Sequence, residues 1–277
     1  MNFTKMEGLG NDFIVTHEIS AEWVNSVTKH ASKLCDRRFG IGADGIIFVL
    51  PSQNADFKMR IINNDGSEAE MCGNGIRCFA LYCRNKSLTK SDKLSVETLA
   101  GTIHTEITGG NNVRVNMGQP ILNPELIPVL EKSGPVLMKE LEIGDKVFKI
   151  NAISMGNPHA VIYADDLTDD LVLGYGPKIE KDSYFPKKTN VEFIKVLSEK
   201  EIQMRVFERG CGETMACGTG ACASVVSGII NKLHGNSVIV HLKGGDLFIK
   251  WSGKEGDPVM MSGPANSVFE GAVEFFI

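Results

Sequence analysis

The chain has 277 residues, 43% hydrophobic content and a formal net charge of −5, which is enough for two ordinary domains with real cores. That charge balance, with no Lys/Arg-rich run, gives no electrostatic footprint for nucleic acid, and no apolar stretch approaches the length of a membrane span. Met1 to Val15 lacks the basic and apolar regions of a signal peptide and seven cysteines is an odd number for a disulfide framework, so a soluble cytoplasmic protein with free thiols is expected.

Phe3 to Met6 reads as a short extended run, followed by a turn over Gly8-Leu9-Gly10-Asn11-Asp12 and a second strand at Phe13-Ile14-Val15. Ser20 is placed to cap a helix in which Trp23, Val27, Ala31 and Leu34 recur at helical spacing until Gly40. Gly40 to Gly45 matches G-x-G-x-x-G, but a helix precedes it and the apolar strand Ile46 to Leu50 follows. A dinucleotide site needs the reverse order, so the match is rejected. Phe57 to Ile62 alternates as a strand, and Asn63-Asn64-Asp65-Gly66 turns the chain toward Cys72. Ile76, Phe79, Ala80 and Cys83 then mark a helix running from Gly73, which sets Cys72 at or before a helix N-terminus. Leu94 to Thr108 and Val113 to Met117 read as strands of a hairpin around Gly109 to Asn112. Pro120, Pro124, Pro128 and Pro135 cluster in the candidate connection between halves.

Beyond it, Ile150 to Met155 leads into Gly156-Asn157-Pro158-His159, Asp165 to Asp170 reads as a solvated acidic loop, and Asn190 opens the strand Val191 to Val196. The strand Met204 to Phe207 ends in Glu208-Arg209, and after Gly218 the positions Val225, Val226, Ile229, Ile230 and Leu233 make a buried helix ending near Gly235. The tail alternates strands and glycine turns to Ile277.

The second half repeats the first. Sliding the chain by 145 positions lays Met204, Arg205, Glu213, Cys217, Gly218 and Gly220 on Met59, Arg60, Glu68, Cys72, Gly73 and Gly75, six identities in seventeen ungapped positions. Gly156-Asn157 answers Gly10-Asn11 at an offset of 146. One long-period copy points to a duplicated domain, with halves at residues 1–117 and 118–262.

A cysteine at the same place in each of two related halves has a chemical reading. At a helix N-terminus the bare amides and the helix dipole favour an anion, so a thiol there is a usable base or acid, and the flanking glycines let a substrate carboxylate reach the same N–H groups. Two such half-sites can abstract a proton from one face of a carbon and return one to the other, inverting it. Cys35, Cys78, Cys83 and Cys222 fall in helical stretches and read as packing residues, whereas Cys211 lies in a turn. The spacings Cys72-x5-Cys78 and Cys217-x4-Cys222 come without paired histidines, so no metal site is expected. Glu208 and Arg209 directly after an apolar strand, and His159 in a Gly-Asn turn, read as site residues, the arginine being suited to a carboxylate.

KMEGLGNDFIV, RRFGIGADG, NNDGSEAEMCGNGIRC, SMGNPHAV, TNVEF and ERGCGETMACGTGAC together resemble the diaminopimelate epimerase family. The resemblance implies an α/β (α+β type) fold of two pseudo-symmetric halves, each a curled, antiparallel-rich sheet around a central helix, with residues 263–277 returning to the first half and the active site in the cleft between the halves. It implies a homodimer and an epimerase that works on diaminopimelate without pyridoxal phosphate or any other cofactor. Cys72 and Cys217 then match the catalytic acid/base pair, Cys72 being the proton acceptor in the LL-to-meso direction. Gly73-Asn74 and Gly218-Thr219 match the carboxylate-binding helix starts. Asn11, Asn63, Asn157, Asn190, Glu208 and Arg209 match substrate contacts, and His159 with Glu208 matches groups that tune the thiols. Gly45 stands where some members carry Gln, Thr219 where others have Ser, and Cys211 where Ala or Val is common. Proline racemase-like enzymes are the alternative, but the Gly-Asn-Pro-His and Glu-Arg-Gly signatures fit them poorly.

Overall fold

A computed structural model describes residues 1–17 and 20–274; the end of the tail, residues 275–277, lies outside them. The chain divides into two compact units, Met1–Asn116 with Ser262–Ile277, and Met117–Met261.

In the first unit, β1 (Asn2–Gly8) and β2 (Asn11–Thr16) form the expected hairpin, turned by Leu9 and Gly10 at φ 57° and 83°. Ser20 caps α1 (Ala21–Lys29), its Oγ accepting from the Trp23 amide. The helix does not run on to Gly40. The His30 amide bonds to Val27 O and its ring to Ser26 O, a tight turn that interrupts the i−4 ladder before a short α2 (Ala31–Cys35) resumes it. Then β3 (Gly45–Leu50), β4 (Phe57–Asn63), the two-residue β5 (Glu68–Ala69) and α3 (Gly73–Asn85) follow as read. The run expected as one strand from Leu94 to Thr108 is two, β6 (Lys93–Thr98) and β7 (Gly101–Gly109). Gly101 at φ 103° allows the tight turn, and the Thr98 hydroxyl closes it on Gly101 O. Finally, β8 (Asn112–Asn116) completes the meander. The pairing is β1 antiparallel to β2, β2 parallel to β3, β3 antiparallel to β4, β4 parallel to β6, and β6 antiparallel to β7. The returning strand Asn266–Ala272 pairs with β1, and α3 packs against β1, β2, β7 and β8.

The second unit opens with β9 (Lys139–Ile143) and β10 (Lys146–Ser154). The proline-rich interval before them belongs to this unit and is no bare connector, since Ile127, Val129 and Val136 are buried in its core with Phe148 and Ile150. After β11 (Pro158–Tyr163) comes the acidic loop, held by Asp166 to Lys195 and Asp169 to Arg205. Next come a π-turn over Asp170–Tyr175 and a short α4 (Gly176–Glu180) that periodicity did not reveal. Last are β12 (Asn190–Ser198), β13 (Glu201–Glu208), β14 (Gly212–Glu213), α5 (Gly218–Ile230), β15 (Ser237–Leu242) and β16 (Gly245–Lys250). Their pairings repeat those of the first unit one for one, from β10 antiparallel to β11 through β13 parallel to β15. Even the register repeats: Ile47 faces Ile61 as Glu192 faces Val206, each 145 residues on.

Candidate active site

Cys72 is the N-cap of α3. Its backbone is extended (φ −137°, ψ 122°) and its Sγ accepts the Gly75 amide at 3.4 Å, so sulfur takes the place of the usual cap oxygen on an orphan N–H. The thiol faces Asn11 Oδ1 at 3.5 Å, and Asn74 Nδ2 donates to the same oxygen at 3.4 Å. The orientation of that amide is set behind it: Asn11 Nδ2 donates to Asp44 Oδ2 at 2.7 Å, and Arg37 holds both Asp44 at 2.8 Å and Asp12 at 2.7 and 2.9 Å. A carboxylate accepts only from the amide nitrogen, which leaves the amide oxygen for the thiol. Lys5 pairs with Asp12 at 2.7 Å and also reaches Gly42 O. Burial raises the Asp12 carboxyl, but hydrogen bonds from Arg37 and Lys5 outweigh it and hold it at about 2. Asn63 ends β4 with its amide nitrogen on Ser67 Oγ at 3.0 Å, and Gly45 stands across from it in β3.

Cys217 is the N-cap of α5 with the same backbone and the same bond, Gly220 N–H to Sγ at 3.4 Å; Thr219 Oγ1 lies 3.5 Å away. Its surroundings differ in charge. Burial pushes the Cys217 thiol well up, and the Glu208 and Glu192 carboxylates push it further, so it rests protonated. Glu208 is itself raised, first by burial and then by Glu192, despite a 2.5 Å hydrogen bond from Thr214. His159 is fully buried, with Nδ1 2.7 Å from Glu192 Oε1 and Nε2 2.9 Å from Asn157 Oδ1. Asn190 spends its side chain on backbone: Oδ1 accepts from Arg209 N–H at 2.9 Å and Nδ2 donates to Pro158 O at 2.9 Å. That fixes the turn from which Arg209 extends, exposed, with one weak bond to Lys187 O at 3.4 Å.

Each unit thus gathers its own set: Asn11, Asn63, Cys72, Gly73 and Asn74 in the first, Asn157, His159, Asn190, Glu208, Arg209, Cys217, Gly218 and Thr219 in the second. Glu192 is the residue the sequence reading passed over. The remaining cysteines separate from these two. Cys35, Cys78 and Cys83 are buried, with thiols pushed by desolvation to about 11, 12 and 12, Cys222 is buried, and Cys211 is exposed. Among the described residues no group of His, Cys, Asp and Glu is arranged to hold a metal ion, and no helix is long and apolar enough to cross a membrane.

A family model described as diaminopimelate epimerase matches residues 3–123 and 151–268. The chain is 53% identical to the diaminopimelate epimerase of Pelotomaculum thermopropionicum over 98% of each chain, and 53% identical to that of Carboxydothermus hydrogenoformans over 100% of each. Among solved structures it is similar to a probable proline racemase from Agrobacterium radiobacter K84, with TM-score 0.71 and 15% identity over 99% of this chain and 93% of that one. A hydroxyproline epimerase from Agrobacterium vitis gives TM-score 0.69 and 14% identity over 99% and 90%. At those identities the two structures speak for the fold alone.

Proposed function

We propose a two-thiol proton transfer for this chain, which belongs to the diaminopimelate epimerase family: as an isomerase it interconverts LL- and meso-2,6-diaminopimelate, a step of lysine and peptidoglycan precursor synthesis. In the LL-to-meso direction Cys72 takes the α-proton as thiolate and Cys217 delivers its own to the opposite face. The amides of Gly73-Asn74 and Gly218-Thr219 hold the carboxylate next to the reacting carbon, where helix N-termini stabilise the charge that develops as the proton leaves. Arg209 takes the distal carboxylate, and Asn11, Asn63, Asn157, Asn190 and Glu208 complete the polar lining, while His159 and Glu208 tune the thiols. The observation that carries the reading is that the same Cys-Gly-x-Gly helix start occurs in both units, and in the second it sits over carboxylates that keep the thiol protonated and ready to donate. No pyridoxal phosphate or metal enters these steps, since the thiols supply both proton transfers.

The enzyme works in the reducing cytoplasm, where both thiols stay unoxidised, and as a homodimer. Sedimentation at assay concentration tests the latter.

Deuterated water tests the two thiols. A solvent-exchanged Cys217 gives deuterium to the product, while Cys72 holds the substrate proton on the other side. Early product should carry solvent deuterium at the inverted carbon and recovered LL-substrate should not. Cys72→Ala and Cys217→Ala should each lose roughly a hundredfold or more in both directions. Substantial early deuterium in recovered substrate, or full activity in either variant, counts against the reading.

A further inference from the structure

Glu192 has no counterpart in the first unit. The register match puts it on Ile47, and the parallel pairing puts His159, opposite Asn190, on Phe13, opposite Gly45. All four side chains are buried, at 0% exposure for Glu192, His159 and Ile47 and 3% for Phe13. The fold is therefore content with an apolar Phe–Ile pair at this place and carries a polar, hydrogen-bonded His–Glu pair in only one copy. The cost is visible: Glu192 Oε2 is buried with no hydrogen-bond partner among the described residues, a condition that destabilises a fold. The pair lies directly beneath the reactive turn. A Cβ at Gly220 would fall 2.6 Å from Glu192 Oε1, whereas the nearest atom to one at Gly75 is Ile47 Cδ1 at 3.2 Å.

We propose that Glu192 is a positioning residue for proton delivery from the second unit: it locks the His159 ring between its own Oε1 and Asn157 Oδ1, and sets a negative charge under the helix turn that carries Cys217. Ile47 supplies no such charge beneath Cys72, so this buried side chain helps to make the two copies of one half-site unequal. The groups that face Cys217 are Glu192 from β12, Glu208 from β13 and His159 behind them from β11, with Thr219 and Gly220 of α5 as neutral partners. Glu208 lies at the position of Asn63, so β13 adds to the asymmetry, but it is Glu192 that hydrogen-bonds the His159 ring directly.

The inference rests on Cys217 as the proton donor, and the test separates the two. Intact enzyme without substrate is alkylated with iodoacetamide across neutral to alkaline pH, and modification of Cys217 and Cys72 is followed separately by peptide mass spectrometry. The midpoint of each pH profile reports thiol acidity whatever the access. In Glu192→Gln, which keeps the shape and loses the charge, the Cys217 midpoint should fall by about one unit, about tenfold faster alkylation at neutral pH, because a like charge nearby disfavours the thiolate. The Cys72 midpoint should stay, and kcat should fall with KM little changed. The double variant His159→Phe/Glu192→Ile rebuilds the pair of the first unit and should fold with the same lowered midpoint. An unmoved Cys217 midpoint in a folded variant overturns the proposal, and so does failure of both variants to fold, which makes the pair structural. Activity in Cys217→Ala overturns the two-thiol reading instead.

Discussion

Arg205 grips Glu213 by two parallel hydrogen bonds, Nε and Nη2 at 2.7 and 3.1 Å, and the first unit repeats the grip with Arg60 and Glu68 at 2.7 and 2.9 Å. The pair clips together the strand before each reactive turn and the short strand within it, β4 to β5 and β13 to β14, so the turn arrives at Cys72 or Cys217 along a fixed path. This explains two of the six identities in the repeat, Arg60/Arg205 and Glu68/Glu213, residues that act on the thiols only through geometry.

The second clip is the stronger. Arg205 and Glu213 are 10% and 13% exposed against 25% and 29% for Arg60 and Glu68, and Arg205 also holds Asp169 and Leu167 O while Lys243 holds Glu213. Arg205→Ala should lose about 2–3 kcal/mol and much of the activity, and Arg60→Ala only about 1 kcal/mol. Urea unfolding of the two variants checks the order, and equal losses would contradict it.

Arg209 tests carboxylate recognition without touching the fold, because its guanidinium is exposed and its turn is held through the backbone amide by Asn190. Arg209→Lys keeps the charge but loses the planar fork, so KM should rise roughly tenfold, the equivalent of one charge-assisted contact of about 1.5–3 kcal/mol, with stability unchanged. A wild-type KM in Arg209→Ala would sink the assignment.

Acid should find the first unit through Asp12. Its folded carboxyl lies near 2 against an ordinary 3.8, so the native state binds its proton less readily than the unfolded chain. The stabilisation is complete above the ordinary value and is lost as pH falls toward the folded one. Asp12→Asn should therefore cost about 1–2 kcal/mol at neutral pH after allowance for solvent screening, and the difference from the parent should vanish near pH 2. Paired urea titrations at the two pH values measure it; a gap that persists in acid means that Asp12 acts by packing.

Much of this was legible in the chain because duplication supplies an internal comparison: Cys72 and Cys217, the Gly-Asn turns and the helices behind the thiols all come from matching one half to the other. The elements that escaped lack periodicity. The Gly176–Pro177 start hides α4, and the hairpin at Leu99–Ala100 sits in an apolar run that reads as one strand. Glu192 escaped for another reason. Alternation along Val191-Glu192-Phe193 turns a glutamate outward, but the first five residues of β12 are all buried, so both of its faces are covered. The signal was there in the same 145-residue slide, which sets a charge on the apolar Ile47.

That contrast yields a paired prediction at the glycines of the two helix starts. Alanine is the better helix former by about 1 kcal/mol, so a Gly→Ala change at either place gains unless the new methyl collides. At Gly75 it meets Ile47 Cδ1 at 3.2 Å and Ile61 Cδ1 at 3.5 Å, side-chain ends that rotate away, and Cys72 Cβ at 3.4 Å, an ordinary van der Waals contact, so Gly75→Ala should be close to neutral in stability with activity kept within a few-fold. At Gly220 it meets Glu192 Oε1 at 2.6 Å with Cδ and Cγ at 3.2 Å, and the carboxylate cannot swing clear without releasing His159. Gly220→Ala should cost about 2 kcal/mol, in the range of an overpacked core, and lower kcat by at least about tenfold as the ring is freed. Adding Glu192→Ala removes the collision but leaves buried His159 without its Oε1 partner, so kcat should stay low. Urea midpoints and kcat for the four enzymes decide it: equal effects at Gly75 and Gly220, or recovery of kcat in the double variant, would mean that Glu192 does nothing for the thiol above it.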